Sequence, residues 1–373
     1  MNARQRIAAA VALQKPDRVP VAPLLDHYAA TYAGYTCAEI MTQGDKRIAA
    51  VIKTATELGP WDMTFLADTA NATLLQMGVP IPIKLPGRDL PPNSTHQFNE
   101  VEFLTPDDYA LLERKGFLLF MMDVMGRLKP EWKGLRAGIP LVKTMLEYRR
   151  HAKMVKRQGM EVAVGFVHPG ILYEWFSLGR GITAMSADTF KRKDAILTAG
   201  KVWRKGMVNL AILASRFVGV PRVFIGQSRA SPEFISRRNF ETLVMPDLEY
   251  TVNRLVAAGI TPIIHSDTNW TKFFDLFLRF PARKCILELD GKSDIFKAKE
   301  ILGSHMCIMG DVPAELLALG SKEEVLDYCR KLIEIVGKDG GFILSSGCSL
   351  PPNAKVENVR AIYEAAEKWG WYS

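Results

Sequence analysis

Thr261-Pro-Ile-Ile-His-Ser-Asp-Thr-Asn-Trp270 is a short apolar run that ends abruptly in two groups able to bind a metal, His265 and Asp267. Alternate residues at a strand end share a face, so the two side chains are expected to point the same way. A second stretch, Gly341-Phe-Ile-Leu-Ser-Ser-Gly-Cys-Ser-Leu-Pro-Pro352, is built alike and delivers Cys348. Cys348 lies 81 positions beyond Asp267. Only a fold that gathers the ends of distant strands can unite the three.

The rest of the chain reads as such a fold. Apolar runs bounded by turn residues predict eight strands, near residues 20, 64, 164, 224, 263, 286, 307 and 343. Helical periodicity fills the intervals. It covers residues 46–58, a capped start at Thr105-Pro-Asp-Asp108, 140–157 and 190–217. Ser231-Pro232 reads as a cap and first-turn proline opening a long helix towards Gly259. Helices follow at 271–280 and 293–302, behind the capping box Ser321-Lys-Glu-Glu324, and at 354–369. Strand–helix alternation implies parallel strands with right-handed crossovers, and eight units close a (β/α)8 TIM barrel. An open doubly wound sheet is the rival, but no glycine-rich phosphate turn follows any strand. The expectation is therefore an α/β chain with one barrel domain over residues 1–373. It carries an irregular insertion after strand 2, about residues 68–105, where Pro80, Pro82, Pro86, Pro91 and Pro92 break the pattern. Long connections of this kind often serve function.

The composition fits an ordinary globular protein, with 48% hydrophobic and 24% charged residues. No apolar run reaches the ~18 residues of a membrane span. The short, charged N-terminus carries no cleavage pattern. The five cysteines (Cys37, Cys285, Cys307, Cys329, Cys348) are odd in number and scattered, which suits a reducing compartment. A cytoplasmic protein is expected. The net charge of +8 comes with no nucleic-acid motif, so it reads first as solvated helix faces. The other reading is steering of an anionic substrate or an acidic protein partner.

Barrel chemistry sits at the C-terminal ends of the strands. Here those ends carry Asp26 and His27, Asp68, His168, Gln227, His265 and Asp267, Asp290, Asp311 and Cys348. His265, Asp267 and Cys348 are the candidate metal ligands, and water or substrate is expected in the fourth place. His27 and His168 are candidate general acids. Tyr28, Trp175 and Trp270, with Gln227, are candidates for the wall of a substrate pocket. The bland alternatives are a loop cap for Asp267, a carbonyl-bonded His265, a buried thiol at Cys348 and aromatic residues that belong to the core.

From about residue 220 onward the sequence resembles the uroporphyrinogen decarboxylase superfamily. The resemblance rests on Ser231-Pro-Glu-Phe, Met245-Pro246, His265-Ser-Asp, Gly310-Asp-Val-Pro, Ile343-Leu-Ser-Ser-Gly-Cys-Ser-Leu-Pro-Pro352 and Glu357-Asn-Val-Arg360. It implies a (β/α)8 barrel and two branches of function, porphyrinogen decarboxylation and corrinoid-dependent methyl transfer. The decarboxylases carry an N-terminal Met-Arg-Gln-Ala-Gly-Arg run; this chain has Pro23-Leu-Leu-Asp-His-Tyr28 instead. The methyltransferase branch holds zinc with His-x-Cys and a distant Cys; this chain reads His265-x-Asp267 and Cys348. Replacing one thiolate by a carboxylate gives a harder, more electrophilic zinc, suited to polarising an oxygen leaving group. The resemblance implies a methyltransferase, and this ligand chemistry gives the expectation that it works on the donor side. It would take a methyl group from a small molecule, an O-methyl aromatic ether for example, to the Co(I) corrinoid of a partner protein. Transfer from a methylated corrinoid to a thiol or folate, and decarboxylation, are the alternatives. A homodimer follows by analogy with the superfamily.

Overall fold

Eight extended segments pair around a closed ring in the computed structural model, which describes residues 1–372. They are β1 (residues 20–22), β2 (Met63–Thr64), β3 (Glu161–Val162, continued by Phe166–His168) and β4 (Arg222–Gln227). β5 (Thr261–Ser266), β6 (Ile286–Leu289), β7 (Cys307–Val312) and β8 (Phe342–Ser346) complete the set. All pairings from β2 to β8 are parallel and sequential. The seam is closed by β1. Ala22 N donates to Leu344 O and Leu344 N to Pro20 O, both at 2.9 Å, and on the other side Asp62 N donates to Val21 O at 2.9 Å. This is the (β/α)8 barrel expected from the sequence, with the strands where the apolar runs placed them.

Strand register sorts the side chains into two faces. Val167, Phe224, Ile263, Ile286 and Cys307 form one row, and Gly226, His265, Glu288, Met309 and Ile343 form the row two residues further on. Ile263, Ile286, Cys307, Met309 and Ile343 pack together inside the barrel, with Phe224 against them. Ile7 and Ala10 of the helix Ala3–Val11 belong to the same cluster and plug the floor. The intervening row, His168, Ile225, Ile264, Leu287 and Ile308, faces outward. Its four aliphatic members join the larger core beneath the helices. β3 is interrupted at Gly165, whose N donates to Arg222 O at 2.8 Å. A Cβ there would stand 2.4 Å from Val220 O, so only glycine lets the two backbones approach.

Residues 68–105 hold a short helix, Ala72–Gly78, and a two-residue antiparallel ribbon pairing Ile83–Lys84 with Gln97–Phe98. The segment is pinned at its far end, where Phe103 N and Leu104 N both donate to Gly179 O at 2.8 Å. The helix expected to start at Ser231-Pro232 starts instead at Arg237, capped by Ser236. The buried carboxylate of Glu174 accepts from the backbone N of Ser228, Arg229 and Ala230 at 2.9–3.0 Å and anchors the loop just before Ser231. Phe234 N and Ile235 N then donate to Ser231 O at 3.0 and 3.1 Å, a single turn that does not continue as a helix. A π-turn, Phe240–Val244, then precedes Met245–Ala257. Pro246 has no N–H to continue the regular ladder. No helix among the described residues is long and apolar enough to cross a membrane.

Candidate metal centre at the barrel mouth

β5 carries His265 on its inward row, and Asp267 follows two residues later on the same side. Cys348 arrives on the loop after β8. The ligand atoms of these three residues all lie within 4.8 Å of one another. His265 Nε2 is 3.0 Å from Asp267 Oδ1 and 3.9 Å from Cys348 Sγ. Zinc bonds of ~2.0–2.3 Å in a tetrahedral shell place neighbouring ligands roughly 3.3–3.8 Å apart, so small side-chain adjustments would seat an ion.

The electrostatics favour a cation. His265 Nδ1 lies 3.3 Å from Glu288 Oε2 on the neighbouring strand, an ion-pair distance without hydrogen-bond geometry, and Nδ1 and both Glu288 oxygens are buried with no hydrogen-bonding partner. Glu288 is fully buried in the barrel interior. Burial opposes charge on His265, but Asp267 and Glu288 outweigh it and hold the imidazole pKa well above its ordinary value. Burial likewise opposes ionisation of Asp267, and His265 outweighs it and holds that carboxyl low. One imidazole between two carboxylates and a thiol is a place for positive charge, supplied by a proton or by a metal. With Nε2 turned to Asp267 and Cys348, and Nδ1 to Glu288, the ring has the arrangement of a metal-bound histidine oriented by a carboxylate. The residues fit zinc.

The loops around the triad are braced from outside. Trp270 is fully buried among Phe240, Phe273 and Phe277, and its Nε1 donates to Asp267 O at 2.6 Å. Ser349, next to Cys348, donates through Oγ to Asp26 Oδ2 at 2.8 Å. Asp26 also accepts from Thr69 N and Ala70 N, at 3.1 and 3.2 Å. The first, second and eighth strand ends are thereby tied together.

Of the residues proposed from the sequence as acids or pocket walls, His27 sits at the mouth. Its Nε2 is 3.1 Å from Nδ1 of His96, which the insertion brings over the rim. Burial pushes both rings down to about 4, so neither is an imidazolium at neutral pH. His168 is not a pocket residue. It shares the outward row with Ile225, is wholly buried with neither ring nitrogen bonded, and burial pushes it down to about 3. Gln227 is turned the same way, in the row with Ser266 and Leu289, and its Nε2 donates to Gly226 O. Trp175 is core, packed on Trp203 at 4.6 Å with Nε1 donating to Gly78 O. Tyr28 is buried against Tyr32 in the same core. Trp270 supports the Asp267 loop and does not line a pocket.

Two groups at the mouth escaped the sequence reading of the site. Glu288 hides in the apolar run Lys284-Cys-Ile-Leu-Glu-Leu289, and a lone carboxylate inside a fully apolar strand was the available signal. Asp68, noted only as a strand end, accepts from Tyr148 Oη at 2.6 Å through Oδ1 and keeps Oδ2 buried without a partner. Burial is the main force raising it to about 7. It is the carboxyl near the rim of β2 that carries a proton close to neutrality.

Residues 212–369 match the sequence profile of the uroporphyrinogen decarboxylase (URO-D) family. No curated protein matches the chain in sequence. Among solved structures, one described as a methyltransferase from Methanosarcina mazei is 16% identical, covers 99% of each chain and superposes with a TM-score of 0.73. That likeness is one of fold. A B12-independent methionine synthase from Shewanella sp. W3-18-1, in complex with selenomethionine, is 14% identical over 59% of this chain and 67% of that one, with a TM-score of 0.41.

Proposed function

We propose that this chain, whose residues 212–369 match the profile of the uroporphyrinogen decarboxylase family, is a methyltransferase acting on the methyl-donor side of a corrinoid-dependent transfer. The observation that carries the reading is the mixed triad His265, Asp267 and Cys348 gathered at the barrel mouth, in a fold shared with a protein described as a methyltransferase. The donor would be an O-methyl small molecule, an aromatic ether in the first instance. The methyl group passes from oxygen to the Co(I) corrinoid of a second protein; the carbon–oxygen bond breaks, and the oxygen leaves with the bonding pair and takes up a proton.

Zinc, held by His265 Nε2, the Asp267 carboxylate and the Cys348 thiolate, would supply Lewis acidity to that oxygen. Glu288, 3.3 Å from Nδ1, would favour the ring orientation in which Nε2 faces the other two ligands, and Trp270 holds the Asp267 loop in place. Asp68, raised by burial to about 7, is proposed as the group that provides the proton. His27 and His96, both neutral, offer hydrogen bonds and not a charged acid. The single cysteine among the three ligands weighs against the reverse role. Methylation of a thiol is better served by a more electron-rich metal that leaves a bound thiolate nucleophilic.

The experiment is the metal content of the purified protein beside His265→Ala, Asp267→Ala and Cys348→Ala. Near-stoichiometric zinc in the parent and its loss in all three folded variants is the expected result. Failure to bind zinc after loading would sink the Lewis-acid role and leave acid catalysis by Asp68.

A further inference from the structure

The formal charge of the chain is concentrated in one place. Residues 113–157 hold twelve lysines and arginines against four carboxylates, a net +8 equal to that of the whole protein. The same segment exposes Leu118, Leu119, Ile139, Leu141, Val142 and Leu146. The helix Gly138–Arg157 carries most of both. Its exposed residues Ile139, Val142, Leu146, Arg149 and Lys153 recur at helical spacing, so they form one stripe, apolar first and basic after.

The direction of this helix places the apolar end. It feeds β3, so its start stands at the catalytic end of the barrel. Tyr148, midway along, already reaches Asp68 at the rim. Ile139 lies nine residues earlier, about 13 Å further out at ~1.5 Å per residue. The first turns therefore overhang the mouth, and the basic half runs down the flank. Arg149 is set over the Phe217 ring at 5.0 Å. Arg150 pairs with Asp45 and Glu147 with Arg47. Lys143, Arg149, Lys153 and Arg157 have no carboxylate within ion-pair distance among the described residues.

We infer that this overhanging, basic helix face is the docking surface for an acidic protein, the one that carries the methyl-accepting corrinoid. The inference rests on the methyl-transfer reading above. Charge excludes a second copy, because a symmetric contact would set +8 against +8. A membrane surface is disfavoured because the six exposed apolar residues include no aromatic anchor; Trp132 is covered by Lys129 at 4.3 Å. Apolar contact at the rim with charge steering along the flank suits a protein that must bring a large cofactor to the mouth and then leave.

The test uses the full-length holoprotein, an O-methyl aromatic donor and two acceptors: free cob(I)alamin, and a purified corrinoid protein reduced to Co(I). The double variant Lys143→Glu/Lys153→Glu and the single variant Leu146→Ser are compared with the parent. The expected result is a rise of about tenfold or more in KM for the corrinoid protein in the double variant, with kcat and the free-cobalamin rate held within about twofold. The parental KM should also rise with salt. An unchanged KM overturns the docking surface while leaving the methyl-transfer reading intact. Binding to phosphatidylcholine–phosphatidylglycerol vesicles that the double variant loses overturns it in favour of a membrane. Absence of transfer to either acceptor overturns the methyl-transfer reading and this partner with it.

Discussion

Glu288 puts a carboxylate behind the imidazole, just inside the barrel mouth, where it has no hydrogen-bonding partner and stands 3.3 Å from His265 Nδ1. Removing such an orienting partner typically weakens metal binding by about 10–100-fold. Glu288→Gln is expected to fold and to lose zinc affinity by that order, measured by competition with a chromophoric chelator. Asp68 makes a separate prediction. Its carboxyl is protonated below about 7, so a reaction that needs its proton is fastest on the acid side and declines as pH rises through that value. Asp68→Asn should lower kcat and abolish this limb of the pH–rate profile. A limb that persists in the variant would assign the acid elsewhere. The three candidate ligands were legible because metal-binding residue types end two matching apolar runs. Glu288 was not, because its role comes from a neighbouring strand in register with His265.

At the scale of the element, strand parity decides what a strand-end residue can do. His168 ends β3 as His265 nearly ends β5, yet one step of register turns it to the helices. The sequence around it, Gly165-Phe-Val-His168, is apolar on both faces, so alternation carries no sign of which side is inward. His168→Leu is therefore expected to leave transfer activity unchanged. It should also improve tolerance of acid. The folded ring titrates at about 3 and the unfolded one near its ordinary 6.5, so as pH falls through 6.5 the unfolded chain gains a proton that the folded one does not, and stability is lost. The leucine variant lacks that loss, and its acid-unfolding midpoint, followed by circular dichroism, should move to lower pH. The misplaced helix start at Ser231 has a kindred origin. Local cap chemistry favoured a helix, and it delivers one turn, with Phe234 N and Ile235 N on Ser231 O, just after a loop held by the distant carboxylate of Glu174. The aromatic residues assigned to a pocket were legible as large and apolar, but burial alone separates a pocket wall from a core, and Trp175 is fully buried.

At the scale of the molecule, the eight apolar runs sufficed to foretell the barrel, since a strand buried on both faces must be apolar throughout. What they could not foretell was the order in which its parts become available. The seam joins residues 20–22 to Leu344, so the opening strand waits for the closing one through nearly the whole of synthesis. At roughly 5–20 residues per second, that wait lasts on the order of 20–60 s. During it, β1 and the growing sheet present open edges, and the metal triad lacks its thiol. A ribosome-bound chain stalled with residue 335 at the tunnel exit is expected to be cut readily by protease and to hold no zinc. One stalled after residue 373 has fully emerged should resist and bind. Protection of the shorter chain would mean that seven strands can stand without the eighth. The seam thus leaves the wall open until its last strand appears, and under the proposed ligand set it ties zinc binding to completion of that wall.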